Sequence, residues 1–369
     1  MMHFHSKLAL QQRVLPNYRA PFFDLLASAC DGGMSLFTGL PRPVEGITVA
    51  KELNVANYKL GNNVHLFGGS FYLCYQRGLI DWLKEWNPDA LIMEANPRYL
   101  STSSAVKWIH QQHKPVIGWG LGSPLTNGFR QRRRLSFINQ FDALLAYSQR
   151  GAEEYATLGF PREKIFVAHN SVAMPPSTPM PSRTSTLNAQ PVILFVGRLQ
   201  ARKRVDHLLR ACAEINQNMK LVIIGDGPER AALESLAKEI YPRAEFIGAK
   251  HGAELKPDFE QADLFVLPGT GGLAVQEAMS YGLPVIVAQG DGTQDDLVRK
   301  ENGWQIPPDD FDALVSTMRD ALSDIARLRR LGAESYRIVK EEINIEKMVE
   351  TFVTALNATR WQSPAQSGK

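Results

Sequence analysis

Residues 263–287 have the types and spacing of a small-molecule anion site. Asp263-Leu-Phe-Val-Leu267 is an apolar run of the length of a buried parallel strand. It stops at Pro268-Gly269-Thr270-Gly271-Gly272, a loop that can bring bare backbone N–H groups close to a ligand. A helix is expected from Leu273 to Tyr281, ended by Gly282 and Pro284, with Glu277 about one turn in. Strand, glycine loop and helix N-terminus together can hold a phosphate, and a carboxylate at the place of Glu277 can accept hydrogen bonds from a sugar diol. The same stretch also reads as a tight βα turn whose glycines serve packing alone. Upstream, Arg198 and Lys203 flank a first βα turn, Gly197-Arg198-Leu199. Two cations there, facing the glycine loop, would neutralise a diphosphate. Arg202 and Arg204 read as surface charge.

Such a site needs a sheet edge to stand on, and the chain supplies the alternation that builds one. Apolar runs recur at Lys7–Val14, Met34–Thr38, Val64–Phe67, Ala90–Glu94, Pro115–Trp119, Ala143–Ser148 and Ile165–Ala168. Helical patterns lie between most of them, at Tyr75–Trp86, Ser101–His113, Arg130–Phe141 and Arg150–Leu158, after a first helix near Pro21. The stretch from Met174 to Pro191 is rich in Pro, Ser and Thr and reads as a linker. Beyond it the alternation restarts: strands at Pro191–Val196, Lys220–Ile224, Ala244–Ile247, Asp263–Leu267, Pro284–Ala288 and Gly303–Ile306. Helices are expected at Lys203–Ile215, Glu229–Ile240, Asp309–Ala326, Arg330–Glu342 and Glu346–Leu356, with a disordered tail from Gln362. This is an α/β chain with largely parallel sheets.

Ligands of such sheets sit beyond the carboxyl ends of the strands. In the first half that rule selects Tyr18 and Arg19, Glu94, Trp119 and Gly120, and Asn170. Glu94 is either functional or a helix N-terminal partner, the latter favoured. His110 and His113 close a helix, where a cation suits the dipole. Arg130, Arg132, Arg133 and Arg134 form a basic cluster, read as a solvated face, with an anionic acceptor or a membrane surface as the alternative.

Bulk properties remove several classes. The 369 residues suggest two domains, and 44% hydrophobic with 21% charged residues is an ordinary soluble composition. A formal net charge of +3 is too weak to argue for nucleic acid. The three cysteines are scattered without ligand spacing, which fits a reducing, cytoplasmic setting and gives no metal site. No apolar run is long enough to span a bilayer, and no G-x-G-x-x-G follows a first strand, which disfavours a dinucleotide oxidoreductase.

The motifs taken in order resemble those of the family 4 glycosyltransferases. Phe195-Val196-Gly197-Arg198-Leu199 with Lys203 resembles their "VGRL…K", and Ile223-Ile224-Gly225-Asp226-Gly227-Pro228 their "IxGxGP" turn. Gly271-Gly272-Leu273-Ala274 with Glu277-Ala278-Met279, Gly282 and Pro284 is similar to their "EGFGLxxLEAMAxGxPVV", and His169-Asn170-Ser171-Val172 to their "NGVD". The first half matches by architecture and by Pro16-Asn17-Tyr18-Arg19. The resemblance implies the GT-B fold, two Rossmann-like doubly wound domains with a cleft between them. The expected boundaries are 1–173 for the acceptor-side domain, 174–190 for the linker, 191–345 for the donor domain, and 346–369 for a helix crossing back to the first domain and the tail. It also implies retaining, metal-independent transfer from a nucleotide-α-sugar, a UDP-sugar favoured over a GDP-sugar, to a saccharide or lipid-linked acceptor. The setting would be polysaccharide or glycolipid synthesis, in the cytoplasm or peripheral at the inner face of an anionic membrane, with no nucleic-acid partner. Carried over, Arg198 and Lys203 would stabilise the leaving diphosphate and Glu277 would bind the ribose. The backbone of Gly271, Gly272, Leu273 and Ala274 would cradle the distal phosphate and sugar, with Gly197 and Gly225 in the neighbouring turns. Ala249 and Lys250 would lie by the base.

Two departures bear on sugar handling. The family's paired glutamates are separated by seven residues, and the first would fall at Gly269. The family's frequent His after an N-domain strand is replaced by Gly118-Trp119-Gly120-Leu121-Gly122. A GT-B epimerase or a non-catalytic nucleotide-sugar binder therefore stand as alternatives.

Overall fold

A computed structural model of the chain describes residues 2–123, 128–183, 190–290 and 292–359. The expected tail and residues 184–189 of the expected linker lie outside them. The chain divides into two units, Met1–Asn170 with Ile345–Lys369, and Ser171–Asn344.

The first unit alternates as its apolar runs require. In chain order it holds β1 (Leu8–Val14), α1 (Ala20–Ser28), β2 (Met34–Gly39), β3 (Asn57–Leu60), β4 (Asn62–Leu66), β5 (Leu73–Arg77), α2 (Leu79–Trp86), β6 (Ala90–Glu94), α3 (Thr102–Gln111), β7 (Val116–Gly120), α4 (Phe129–Ile138), β8 (Ala143–Ala146), α5 (Gln149–Leu158) and β9 (Ile165–Val167). Its seven-stranded sheet runs β3-β2-β1-β6-β7-β8-β9, with every neighbouring pair parallel. Strand alternation sends Leu8 and Leu10 to one face and Ala9 to the other. A helix from the far end of the chain, Ile345–Ala358, covers the Leu8 face. Its Phe352 ring sits 5.0 Å from Phe22 and 4.9 Å from Trp119.

The second unit holds β10 (Val192–Val196), α6 (Val205–Ile215), β11 (Lys220–Ile224), α7 (Arg230–Ile240), β12 (Ala244–Gly248), α8 (Lys256–Gln261), β13 (Leu264–Leu267), α9 (Ala274–Ser280), β14 (Val285–Ala288), β15 (Gly303–Ile306), α10 (Phe311–Ser323) and α11 (Ile325–Glu341); the covering helix of the first unit, Ile345–Ala358, is then α12. Its parallel sheet is ordered β12-β11-β10-β13-β14-β15. Strand order reverses between β10 and β13, the place where doubly wound sheets open a crevice for ligands.

Several elements differ from expectation for local reasons. Tyr75–Arg77 is not the start of a helix but the end of β5, which pairs antiparallel with β4 in a two-stranded ribbon. Gly78, at φ +84°, separates it from α2. Lys203 is not on α6 but ends a short 3-10 turn, Ala201–Lys203, and Arg204 at φ +52° turns the chain into the helix. The boundary between α10 and α11 falls at Asp324, whose side chain accepts the Arg327 N–H. The described part of the proline-rich stretch lies on the second unit. There Arg183 donates to the carbonyls of Ala262, Tyr281, Gly282 and Phe259, and this burial lowers its guanidinium to about 10. On α4, Arg130, Arg132 and Arg133 are exposed, the surface placement expected of a solvated face.

One buried side chain ties the two ends of the second unit together. Gln276, only 2% exposed, accepts from the N–H groups of Val172 and Ala173 and donates to Ser171 Oγ and the Ile343 carbonyl. All four of its hydrogen-bonding valences are filled. Gln276→Leu leaves two part-buried N–H groups without acceptors, and the Ser171 hydroxyl and Ile343 carbonyl without their donor, so urea unfolding should show a loss of about 2–3 kcal/mol. A wild-type midpoint would mean water replaces the amide there.

Candidate functional site

The second unit places Arg198, Lys203 and the glycine loop after the carboxyl ends of β10 and β13, where strand order reverses. The turns after β10 and β11 lace together: Gly197 N–H donates to Ile224 O (2.9 Å), Gly225 N–H to Gly248 O (2.8 Å) and Leu199 N–H to Asp226 O (2.9 Å). Gly225 is required, since its φ is +149° and a Cβ would overlap the Gly197 carbonyl oxygen. These contacts fix the turn that carries Arg198, which is exposed at the carboxyl edge.

Lys203 is 6% exposed, and its ammonium donates to the Thr270 carbonyl (2.9 Å) and to that of Gly271. Arg202 donates to Thr270 O at 3.1 Å, and Thr270 N–H returns a bond to Arg202 O at 3.0 Å. The 3-10 turn and the glycine loop are thus bonded in both directions. Arg202 is exposed, as a surface charge would be, and its side chain also forms part of this clamp. Burial, with the neighbouring Arg202 cation, lowers the Lys203 ammonium to about 8. An ammonium that has lost much of its water is poised to gain from an incoming anion.

The same clamp accounts for Gly269. A Cβ there would overlap the Arg202 carbonyl oxygen and Lys203 Cα. The position expected to hold a glutamate is filled by backbone packing. Gly271, at φ +65°, leaves the left-handed turn open, with Lys203 Nζ 3.9 Å from the place of its missing Cβ.

Glu277 lies on α9, a seven-residue helix, with its carboxyl half-buried. Burial raises its pKa, and among the described residues no cation or donor holds its carboxylate. Ala249 is exposed after β12, and Lys250 is spent on Asp258 at 2.7 Å, so only backbone is offered there.

In the first unit the candidates divide. Arg19 is 7% exposed, with its guanidinium 5.6 Å from the Trp119 ring centre and 5.9 Å from those of Tyr18 and Tyr147. It also donates to Asn170 Oδ1. Trp119 is 1% exposed and belongs to the core, and a Cβ on Gly120 would strike the Tyr155 hydroxyl. Arg19, Trp119, Gly120 and Asn170 therefore come together as a buried aromatic–arginine cluster, with Tyr18, 47% exposed, at its rim. Glu94 caps no helix. Its carboxylate takes the backbone N–H of Arg13, and burial pushes it up to about 7. His110 pairs with Asp142 at 3.0 Å, and Asp142 also accepts the Val116 N–H, a structural use of both groups.

Two doubly wound parallel sheets and this glycine-loop site define the GT-B class. Residues 182–338 match the family model of group 1 glycosyl transferases. The chain is 32% identical over 240 residues to a GDP-mannose-dependent alpha-mannosyltransferase of Mycobacterium tuberculosis, covering 62% of this chain and 60% of that protein. It is 28% identical over 191 residues to the putative colanic acid biosynthesis glycosyltransferase WcaL of Escherichia coli, covering 48% and 47%. The matches span between 40% and 60% of the length of the first such relatives. The crystal structure of Anabaena Alr3699/HepE with UDP and glucose superposes with a TM-score of 0.67, at 16% identity over 96% of this chain and 100% of that one. The chain has the GT-B fold, and its residues 182–338 are similar to the group 1 glycosyl transferases.

Proposed function

We propose that the chain is a retaining glycosyltransferase. It moves a sugar from a nucleotide-α-sugar to a saccharide or lipid-linked acceptor, in polysaccharide or glycolipid synthesis, with no metal required. The observation that carries this reading is the buried Lys203 ammonium on the Thr270 and Gly271 carbonyls, at the strand-order reversal and beside the exposed Arg198 turn. A donor diphosphate placed there meets two cations and the N–H groups of Gly271 and Gly272, the Thr270 N–H being held by Arg202 O. In front-face transfer the bond from the anomeric carbon to the phosphate oxygen breaks. The acceptor oxygen bonds to the same face of that carbon, and the acceptor proton passes to the departing phosphate. Charge builds on the phosphate, so Arg198 and Lys203 act mainly on the transition state.

The test is a panel of UDP- and GDP-sugars, both bases being named among the similar proteins. Free nucleotide released, slowly without acceptor and faster with one, supports transfer. Isomerised sugar with no free nucleotide marks an epimerase, and saturable binding with neither product marks a binder; either outcome overturns the proposal.

Glu277 supplies a separate check. The ribose it would hold does not change in the reaction, so its contribution is uniform binding. Glu277→Gln should raise the donor KM by about 1–2 kcal/mol, roughly 5–30-fold, with kcat little changed. The carboxyl pays a burial cost with no partner, so the substitution should leave the ligand-free melting temperature unchanged or raised. A lowered melting temperature with an unchanged KM would make Glu277 structural.

A further inference from the structure

The first unit carries a cavity that the donor chemistry does not use. It lies at the tip of the β4–β5 ribbon, has a volume of about 630 Å³, and is walled by Phe67, Phe71, Tyr72 and Leu73, with Ser70 and Arg98 at its rim. That volume is in the range of small-molecule sites. Phe67 is 75% exposed and Phe71 81% exposed, which is unusual for two neighbouring rings. Phe67 is held at φ +60°, a conformation that bulky residues adopt only where their surroundings impose it.

The ribbon is a rigid mount. Cys74 N–H donates to Arg98 O and Leu100 N–H to Cys74 O, so β5 is bonded to the segment that follows β6. Gln76 is buried and bonded to Gln11, to the Gln12 carbonyl and to Asn63. Tyr72 is fixed by His65 at 2.9 Å and lies under the Arg42 guanidinium at 4.5 Å. The cavity therefore stands by the carboxyl ends of β1 and β6, the strand-order reversal of this sheet.

The charges decide the ligand. Arg13 and Arg42 are both committed to Glu45. Arg98 is exposed, and its guanidinium has no carboxylate partner among the described residues. No carboxylate or amide side chain lines the cavity, so a sugar's hydroxyl groups would find few fixed partners there. An apolar chain against the rings with an anion on Arg98 matches the aromatic walls and the one cation of the lining.

We propose that this cavity binds a single anionic lipid, its hydrocarbon chain against Phe67, Phe71 and Leu73 and its phosphate on Arg98. Resting on the transferase reading, the lipid is the anchor of a lipid-phosphate-linked acceptor. Binding itself does not depend on that reading and is measured without donor.

The probe is decyl phosphate below its aggregation concentration, titrated into the full chain by calorimetry, with inorganic phosphate, decyl maltoside, maltotriose and phosphatidylglycerol vesicles as comparisons. Saturable binding of one decyl phosphate per chain is expected, with none of inorganic phosphate at the same concentration. Arg98→Gln should weaken decyl phosphate about tenfold, as for loss of a charged hydrogen bond, and leave decyl maltoside unchanged. Phe67→Ser with Phe71→Ser should weaken both detergents; these side chains are exposed, so the variant should melt like the wild type. The proposal is overturned if decyl phosphate binds equally to wild type and the Phe variant, or if Arg98→Gln has no effect. Capture by vesicles without binding of the monomer overturns it too, since that is a surface wedge. So does maltotriose binding that the Phe variant alone loses. Nucleotide release in the donor panel is scored separately, so failure here and failure of the transferase reading are distinguishable.

Discussion

Lys203→Ala is expected to lower kcat for sugar transfer by about 10²–10³-fold, the loss seen when one donor to a developing oxyanion is removed. The ammonium is already desolvated and already oriented by the Thr270 and Gly271 carbonyls, so little reorganisation opposes its contact with a leaving phosphate. The substitution also removes part of the clamp on the glycine loop. Lys203→Met, which keeps the apolar stem, separates the two effects: an equal kcat loss assigns the effect to charge, whereas recovered kcat assigns it to packing. The pH profile gives an independent reading. With its pKa lowered to about 8, Lys203 loses its proton as pH rises through that value, so kcat/KM should fall on that limb in the wild type and show no such limb in Lys203→Met. The stability sign is opposite. Between about 8 and the ordinary value of 10.5 the unfolded chain holds the proton and the folded chain does not, so the ligand-free protein gains stability with pH across that window. Loss of KM alone in Lys203→Ala would remove the leaving-group role.

The residues that could be found in the sequence were those whose chemistry depends on local order. Apolar runs mark most strands of both sheets; Gly197, Arg198 and Gly225 stand where such runs stop, Gly271 lies in the loop after β13, and Glu277 lies on α9. What escaped depends on contacts distant in sequence. Arg202 meets Thr270 across 68 positions, and nothing near either residue announces it. Gln276 bonds to residues 103–105 positions earlier, and its one local sign is a glutamine on an otherwise apolar helix face. The β5 segment at Tyr75–Arg77 carries helix-compatible residues, and only pairing with β4 makes it a strand. Trp119 and Arg19 look like cleft residues by position, yet the covering helix α12 with Phe352 and Met348 makes their surroundings a core. A strand-end rule locates the edge of a sheet but not what the distant chain lays over it.

Gly269→Glu tests whether a motif position can be restored by its side chain alone. By resemblance this residue stands where a glutamate would reach toward the donor sugar, so a carboxylate there would be expected to help. The backbone geometry argues the reverse. The site of a Cβ at 269 is occupied by Arg202 O and Lys203 Cα, and the same Arg202 carbonyl accepts the Thr270 N–H. Backbone cannot yield as a flexible side chain does, so the 3-10 turn must move away, taking the Lys203 ammonium from the Thr270 and Gly271 carbonyls. Overpacking of this kind costs about 1–3 kcal/mol, and the carboxylate adds repulsion toward a diphosphate. Gly269→Ala carries the steric part without the charge. Both variants should melt several degrees below the wild type, by roughly 2–4 °C per kcal/mol for a domain of this size. Both should lose donor turnover by a factor comparable to Lys203→Ala, with Gly269→Glu also weakening donor binding. Wild-type melting together with equal or faster turnover in Gly269→Glu would show that the turn can yield. The role assigned here to the Arg202–Thr270 clamp would then be wrong.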